Sequence, residues 1–233
     1  MYGYYGMFWD PTYFLVIIGM LICLAASAKV KTTYAKFNRV RSHSGITAAQ
    51  AAEMILHGAG IYDVQIAPIA GDLTDNYDPR DRVLHLSAST YQSTSVAAIG
   101  VAAHECGHAI QDAQSYVPLR IRGAIVPVVN FGATISWPLI LIGILLGGSH
   151  TLIMLGILLF SFTVVFQLVT LPVEFNASSR ALGILRNSGM LYDDELKGAR
   201  KVLSAAALTY VAGAASSILQ LLRLFLLFGN RDD

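Results

Sequence analysis

Of the 233 residues only 13% are charged, about half the share usual in soluble proteins, and the mean hydropathy is +0.55; together these argue against an ordinary water-soluble globule. Sixteen Lys and Arg against fifteen Asp and Glu leave a net charge of +1, so there is no overall basic field to hold a nucleic acid. The two cysteines, Cys23 and Cys106, stand far apart and form neither a disulfide framework nor a CxxC metal or redox site.

The stretch Pro11 to Ala28 is uncharged and close in length to the roughly 20 residues a bilayer span needs, which predicts an N-terminal anchor over residues 1–28. Ala25-Ala26-Ser27-Ala28 looks like a signal-peptide cleavage site. No Lys or Arg precedes it, however, and Lys29, Lys31, Lys36, Arg39 and Arg41 follow, the flank of an uncleaved anchor with its N-terminus outside. The aromatic run Tyr2 to Trp9 suits interfacial anchoring.

Residues 29–122 have soluble composition and predict a small α+β unit. Thr47 caps a helix through His57, in which Ala48, Ala51, Ala52 and Ile55 recur at helical spacing and Gly58 and Gly60 end the run. Tyr62 to Ile69 is predicted as a strand and Leu73 to Asp81, rich in Asp, Asn and Pro, as a loop. Arg82 to Ser87 is a second strand, alternating Val83, His85 and Ser87 with Leu84 and Leu86. Ser93, Thr94 and Ser95 offer caps to a helix that runs to about Ala113, ahead of Pro118.

That helix carries His104-Glu105-Cys106-Gly107-His108, an HExxH pattern. Two imidazoles four residues apart share a helix face and can bind one zinc, while the intervening glutamate can act as general base. At about 100° per residue, Val96, Ile99, Ala103, Cys106 and Ile110 fall on one side and His104, Glu105, His108 and Asp112 on the other. An apolar stripe can bury such a helix while the polar arc faces a cleft.

From Gly123 to Val173 there is no Asp, Glu, Lys or Arg, a run of 51 residues that is room for two spans. Gly147-Gly148-Ser149-His150 divides it into Ile125 to Leu146 and Thr151 to Leu171, a hairpin in which Pro127 and Pro138 are tolerable. The predicted regions are thus a hairpin over 123–173, a polar segment over 174–201, and a last span with its tail over 202–233. In that span Val202 to Leu222 is uncharged, with a small-residue face including Ala205, Ala212, Gly213 and Ser216 suited to close packing; Arg223, which ends it, has a stem long enough to snorkel. Residues 29–122 hold nine Lys and Arg and residues 174–201 five, so both polar segments are expected in the cytoplasm. The expected fold class is a mainly α membrane protein with about four transmembrane helices and a small cytoplasmic α+β unit.

A catalytic zinc usually takes three protein ligands and leaves one position to water. Asp112 lies eight residues beyond His104, about 12 Å along the axis, too far to complete the set, and suits a role orienting His108. Glu174, in Leu171-Pro-Val-Glu-Phe-Asn-Ala-Ser-Ser-Arg180, is the first acid after the hairpin and arrives on the expected cytoplasmic side; an interfacial ion pair with Arg180 or another cation is the competing reading. HExxH, a membrane hairpin and a downstream Glu among small residues resemble integral-membrane zinc metallopeptidases of the gluzincin type, most nearly the YugP-like neutral zinc metallopeptidases, over nearly the whole chain. The pattern is also similar to a shorter version of the HtpX and CaaX-processing membrane proteases. The resemblance implies one Zn2+ per chain held by His104, His108 and Glu174, Glu105 as base, a zincin-like catalytic unit, peptide or membrane-protein substrates and a bacterial cytoplasmic membrane. Thermolysin-like gluzincins place an Asp four residues after the ligand glutamate, where this chain has Ser178.

For the oxyanion donor the sequence offers Tyr91, His85, Tyr210 and Arg180. By the same resemblance, strand Arg82 to Ser87 is an edge strand that binds extended substrate by backbone pairing. Cys106 is on the apolar side, as a small core residue. A non-catalytic scaffold with zinc closed by Asp112, His85 or His57 is the alternative, and it has no use for Glu105. A transporter is disfavoured because the spans carry no charged residue in their interiors.

Overall fold

A computed structural model describes residues 10–229; the aromatic run Tyr2 to Trp9 lies outside them. The order is α1 (Tyr13–Phe37), α2 (Ala48–Gly58), β1 (Gln65–Ile69), β2 (Asn76–Asp78), β3 (Val83–Ser87), α3 (Ala88–Tyr91), α4 (Val96–Ala113), α5 (Val117–Leu145), α6 (His150–Asn187) and α7 (Asp193–Phe228). Among the described residues, α1, α5, α6 and α7 are long and apolar enough to cross a membrane. The chain divides into two units, one of residues 27–120 and 171–208, the other of the stretch through Ala26, Ile121–Thr170 and the stretch from Thr209.

In the first unit local chemistry sets the elements. Thr47 Oγ1 accepts from Gln50 N at 3.2 Å while Gln50 Oε1 accepts from Thr47 N at 2.9 Å, a capping box that starts α2; Gly60, at φ 75, turns the chain away after it. Ser95 starts α4 by accepting from Ala98 N at 3.1 Å. The sheet order is β1-β3-β2, with β1 parallel and β2 antiparallel to β3. Leu84 and Leu86 are fully buried in a core shared with Ala52, Ile55, Ile99, Cys106 and Leu185.

Two expectations change here. β3 is the central strand and pairs on both sides, so Arg82 to Ser87 is not an edge; the edges are β1 and β2. The stretch Leu73 to Asp81 is not all loop, because Asn76–Asp78 pairs with His85, Leu84 and Val83.

In the second unit, α5 and α6 are joined through Gly147 and Gly148, at φ 80 and 86, a left-handed turn that glycine makes without strain. The helices approach closely: a Cβ on Gly156 would lie 2.8 Å from Ser136 O, and one on Gly132 3.0 Å from Leu159 O. The small-residue face of α7 meets α1, where a Cβ on Gly19 would stand 2.8 Å from Ser216 Oγ. Arg223 is largely covered, 3.6 Å from Asp10 Oδ2 and 4.2 Å over the Tyr13 ring.

Candidate metal centre and active site

The two histidines of α4 are held in place by what lies behind them. Val96, Ile99, Ala103, Cys106 and Ile110 are all buried, so the apolar stripe is fixed against α2 and the sheet. Cys106 Sγ sits 3.6 Å from Ala52 O and burial pushes its thiol up, which fits a packing residue.

The third group comes from α6, and Gly107 lets it in. A Cβ at Gly107 would stand 2.7 Å from Ala177 O and 3.1 Å from Ala177 Cα; no side chain larger than hydrogen fits between these backbones. With Ala177 seated there, Glu174, one turn earlier, faces both imidazoles. Glu174 Oε2 lies 3.2 Å from His104 Nε2 and 3.6 Å from His108 Nε2, and one ligand atom from each residue lies within 4.8 Å of the others. Tetrahedral zinc, with bonds of about 2.0–2.1 Å, sets its ligand atoms about 3.3 Å apart, close to both separations.

Hydrogen bonds behind the cluster point the same way. Gln111 is fully buried, and its Nε2 donates to Val173 O and to Asn176 Oδ1, each at 2.9 Å. Its Oε1 is therefore the acceptor, and His108 Nδ1, 3.0 Å away, carries the proton. With Nδ1 committed to Gln111, Nε2 is the His108 atom turned toward the Glu174 carboxylate, and in the neutral imidazole it offers the lone pair that a metal ion between the two would take. His104 Nδ1 is paired with the hydroxyl of Ser178, four residues after Glu174 on α6, at 3.1 Å.

Glu105 is buried beside this cluster, and burial pushes its carboxyl above the ordinary carboxylate range, against the opposing pull of His104 and His108. Its Oε2 accepts from the backbone N–H of Tyr77 on β2 at 3.1 Å. The Tyr77 hydroxyl donates to Asp112 Oδ2 at 2.9 Å, and burial together with Asp112 pushes that hydroxyl up to about 12, so it stays a donor at neutral pH.

The structure thus brings together His104, Glu105, His108 and Glu174. Asp112, expected to orient His108, takes the Tyr77 hydroxyl, and Gln111 orients the histidine. Arg180 makes no ion pair with Glu174; its Nε donates to Asn176 Oδ1 at 2.7 Å and its Nη1 to Gln114 Oε1 at 2.6 Å, which ties it to His108 through Asn176 and Gln111. His85 alternates onto the sheet face opposite Leu84 and its partner Tyr77, away from α4. Tyr91 lines a separate cavity of about 410 Å³ with Gln50, Glu53 and His57, and Tyr210 belongs to the other unit. Sequence reasoning missed Tyr77 and Gln111. Gln111 had a signal, since it lies three residues after His108 on the same face; Tyr77 had none, because it reaches Glu105 and Asp112 from a distant segment of loop-like composition.

Among the described residues, four helices apolar enough for a bilayer and a two-histidine, one-glutamate cluster with the donor set of a metal site, a second glutamate beside it, define the class: a membrane-type helical protein with a candidate metal centre. Residues 12–229 match the family described as "Putative neutral zinc metallopeptidase", and the chain belongs to that family. It is similar to the "Putative membrane protease YugP" of Bacillus subtilis (strain 168), with 49% identity over 220 residues that cover 94% of this chain and 97% of that protein. No solved structure matches it.

Proposed function

We propose that this protein is a membrane-embedded zinc metalloendopeptidase that hydrolyses peptide bonds near the cytoplasmic surface of a bacterial membrane, in processing or quality control of membrane proteins. The observation that carries the reading is the convergence of Glu174 on His104 and His108 beside a buried Glu105 whose Oε2 is held by the Tyr77 amide. His104, His108 and Glu174 would hold the zinc, with Gln111 and Ser178 orienting the imidazoles. When bound, zinc supplies Lewis acidity, polarising a peptide carbonyl and lowering the pKa of a water to about 7.

Glu105 acts on protons. The Tyr77 amide fixes Oε2, which leaves Oε1 to take the proton of the attacking water and later deliver it to the departing amine. Its raised affinity for a proton, a consequence of burial, brings it closer to neutral pH, where a general base works best. With β3 internal, the sheet edge next to Glu105 is β2, whose Tyr77 amide serves the glutamate. The positive residues of 29–122 and 174–201 support a cytoplasmic site with the N-terminus outside.

The test is Glu105→Gln in detergent-purified full-length protein, assayed on unfolded casein with zinc per chain measured in parallel. Cleavage is expected to fall by about 10² to 10⁴-fold while zinc stays at about one per chain. An unaltered rate in a zinc-loaded variant would assign the metal to a structural scaffold.

A further inference from the structure

Both α1 and α7 change from polar to apolar at a lysine: Lys29 directly follows the uncharged stretch Pro11 to Ala28, and Lys201 directly precedes Val202 to Leu222. The two helices are held together beside Lys201, one to two turns beyond Lys29 on α1. A Cβ on Gly198 would lie 2.8 Å from Phe37 Cδ1, and Tyr34 and Val202 share a buried cluster with Ala97. Beside that contact opens a pocket of about 600 Å³ whose lining includes Lys29, Lys36, Arg200 and Lys201. Helical spacing gathers them: Lys29 and Lys36 stand two turns apart on one face of α1, and Arg200 and Lys201 one turn before Ser204 on α7.

All four cations are exposed, and among the described residues none has a carboxylate within 4.0 Å. α1 has no acidic residue to offer. The acids of α7 lie in its first turn, and Glu195, the buried one, is engaged by His43 and the Tyr192 amide. Four uncompensated positive charges on one pocket repel each other and attract an anion. Arginine and lysine together suit a phosphate, the one as a planar fork and the other as a point charge.

We propose that this pocket binds the phosphate of an anionic membrane lipid. A lipid is favoured over a free anion because the pocket is amphipathic along the helix axes. Lys29 and Lys201 sit where the two uncharged stretches end, Lys36 and Arg200 lie on the polar side of them, and the lining continues through Ser204 and Ala205 to Leu208, inside the uncharged stretch of α7, where the glycerol and first acyl carbons would lie. A bound phosphate bridges α1 and α7 and removes the repulsion between them, so the lipid stabilises their contact.

The experiment uses the full chain in a neutral detergent, titrated with short-chain phosphatidylglycerol, short-chain phosphatidylcholine and inorganic phosphate, with bound lipid read by native mass spectrometry and the unfolding midpoint read in parallel. Phosphatidylglycerol is expected to bind at least tenfold more tightly than phosphatidylcholine and to raise the midpoint. Replacing Lys29, Lys36, Arg200 and Lys201 with Gln removes that preference, whereas replacing Arg39, Arg41, Arg80 and Arg186 with Gln leaves it intact. If the fourfold variant loses helicity, the double variant Lys36→Gln/Lys201→Gln gives the same reading in weaker form. Equal binding of the two lipids, equal effect of inorganic phosphate, or equal loss in the control variant would each overturn the assignment.

Discussion

The two units are both largely helical, yet they bury opposite things. In the unit of residues 27–120 and 171–208 the interior holds Glu105, Gln111, Glu174 and Glu195 among tightly packed alanines and leucines, and each of these polar groups has a partner. In the other unit the interior is glycine, serine and isoleucine at close helix crossings, while Phe14, Leu21, Leu24, Leu141, Leu145 and Phe225 face outward. The difference is the one expected between a unit that packs in lipid and a unit that packs in water. Facing lipid, a leucine gains nothing by turning inward, so small residues that allow close approach fill the crossings. Facing water, apolar burial drives packing, and the polar groups that function requires are sunk into that core only with their hydrogen bonds met.

Substitutions can break or sharpen this contrast, and the largest effect falls in the water-facing core. Leu185→Ala, at a fully buried position, should cost about 2–5 kcal/mol, measured as a lowered unfolding midpoint in detergent. Next is Gln111→Ala, which removes the acceptor for His108 Nδ1 and should weaken zinc binding by about 10–100-fold in a competitive chelator titration, with helicity preserved. Gly107→Ala forces a methyl against Ala177 O and should cost about 1–3 kcal/mol, with zinc affinity falling as α4 and α6 are pushed apart. Smallest is Leu145→Ala in the apolar unit, where the side chain is 74% exposed; the midpoint should move by no more than about 0.5 kcal/mol. A loss there as large as that for Leu185 would erase the distinction between the two units.

Much of this architecture was legible because it is written in local signals. Thr47 and Ser95 mark helix starts, Gly60, Gly147 and Gly148 mark turns, and charge-free runs mark the four long helices. The histidine helix was legible from the spacing of His104 and His108 against the apolar stripe. What escaped depends on contacts between distant segments. β2 is three residues of turn-forming composition that exist as a strand because β3 pairs with them. β3 reads as an edge until β2 is known. α6 continues through Pro172 to Asn187, which a rule that ends helices near proline misses. Asp112 and Gln111 are equally placed to reach His108, and what decides between them is Tyr77, from a segment read as loop.

The central claim is that α4 and α6 together form one zinc site, and the most direct test is metal content of detergent-purified wild type and Glu174→Ala, because it needs no substrate. About one zinc per chain in the wild type and markedly less in a Glu174→Ala protein of unchanged helicity is the expected result. A zinc-loaded Glu174→Ala protein, or a folded wild type that takes up no zinc on resupply, would contradict it.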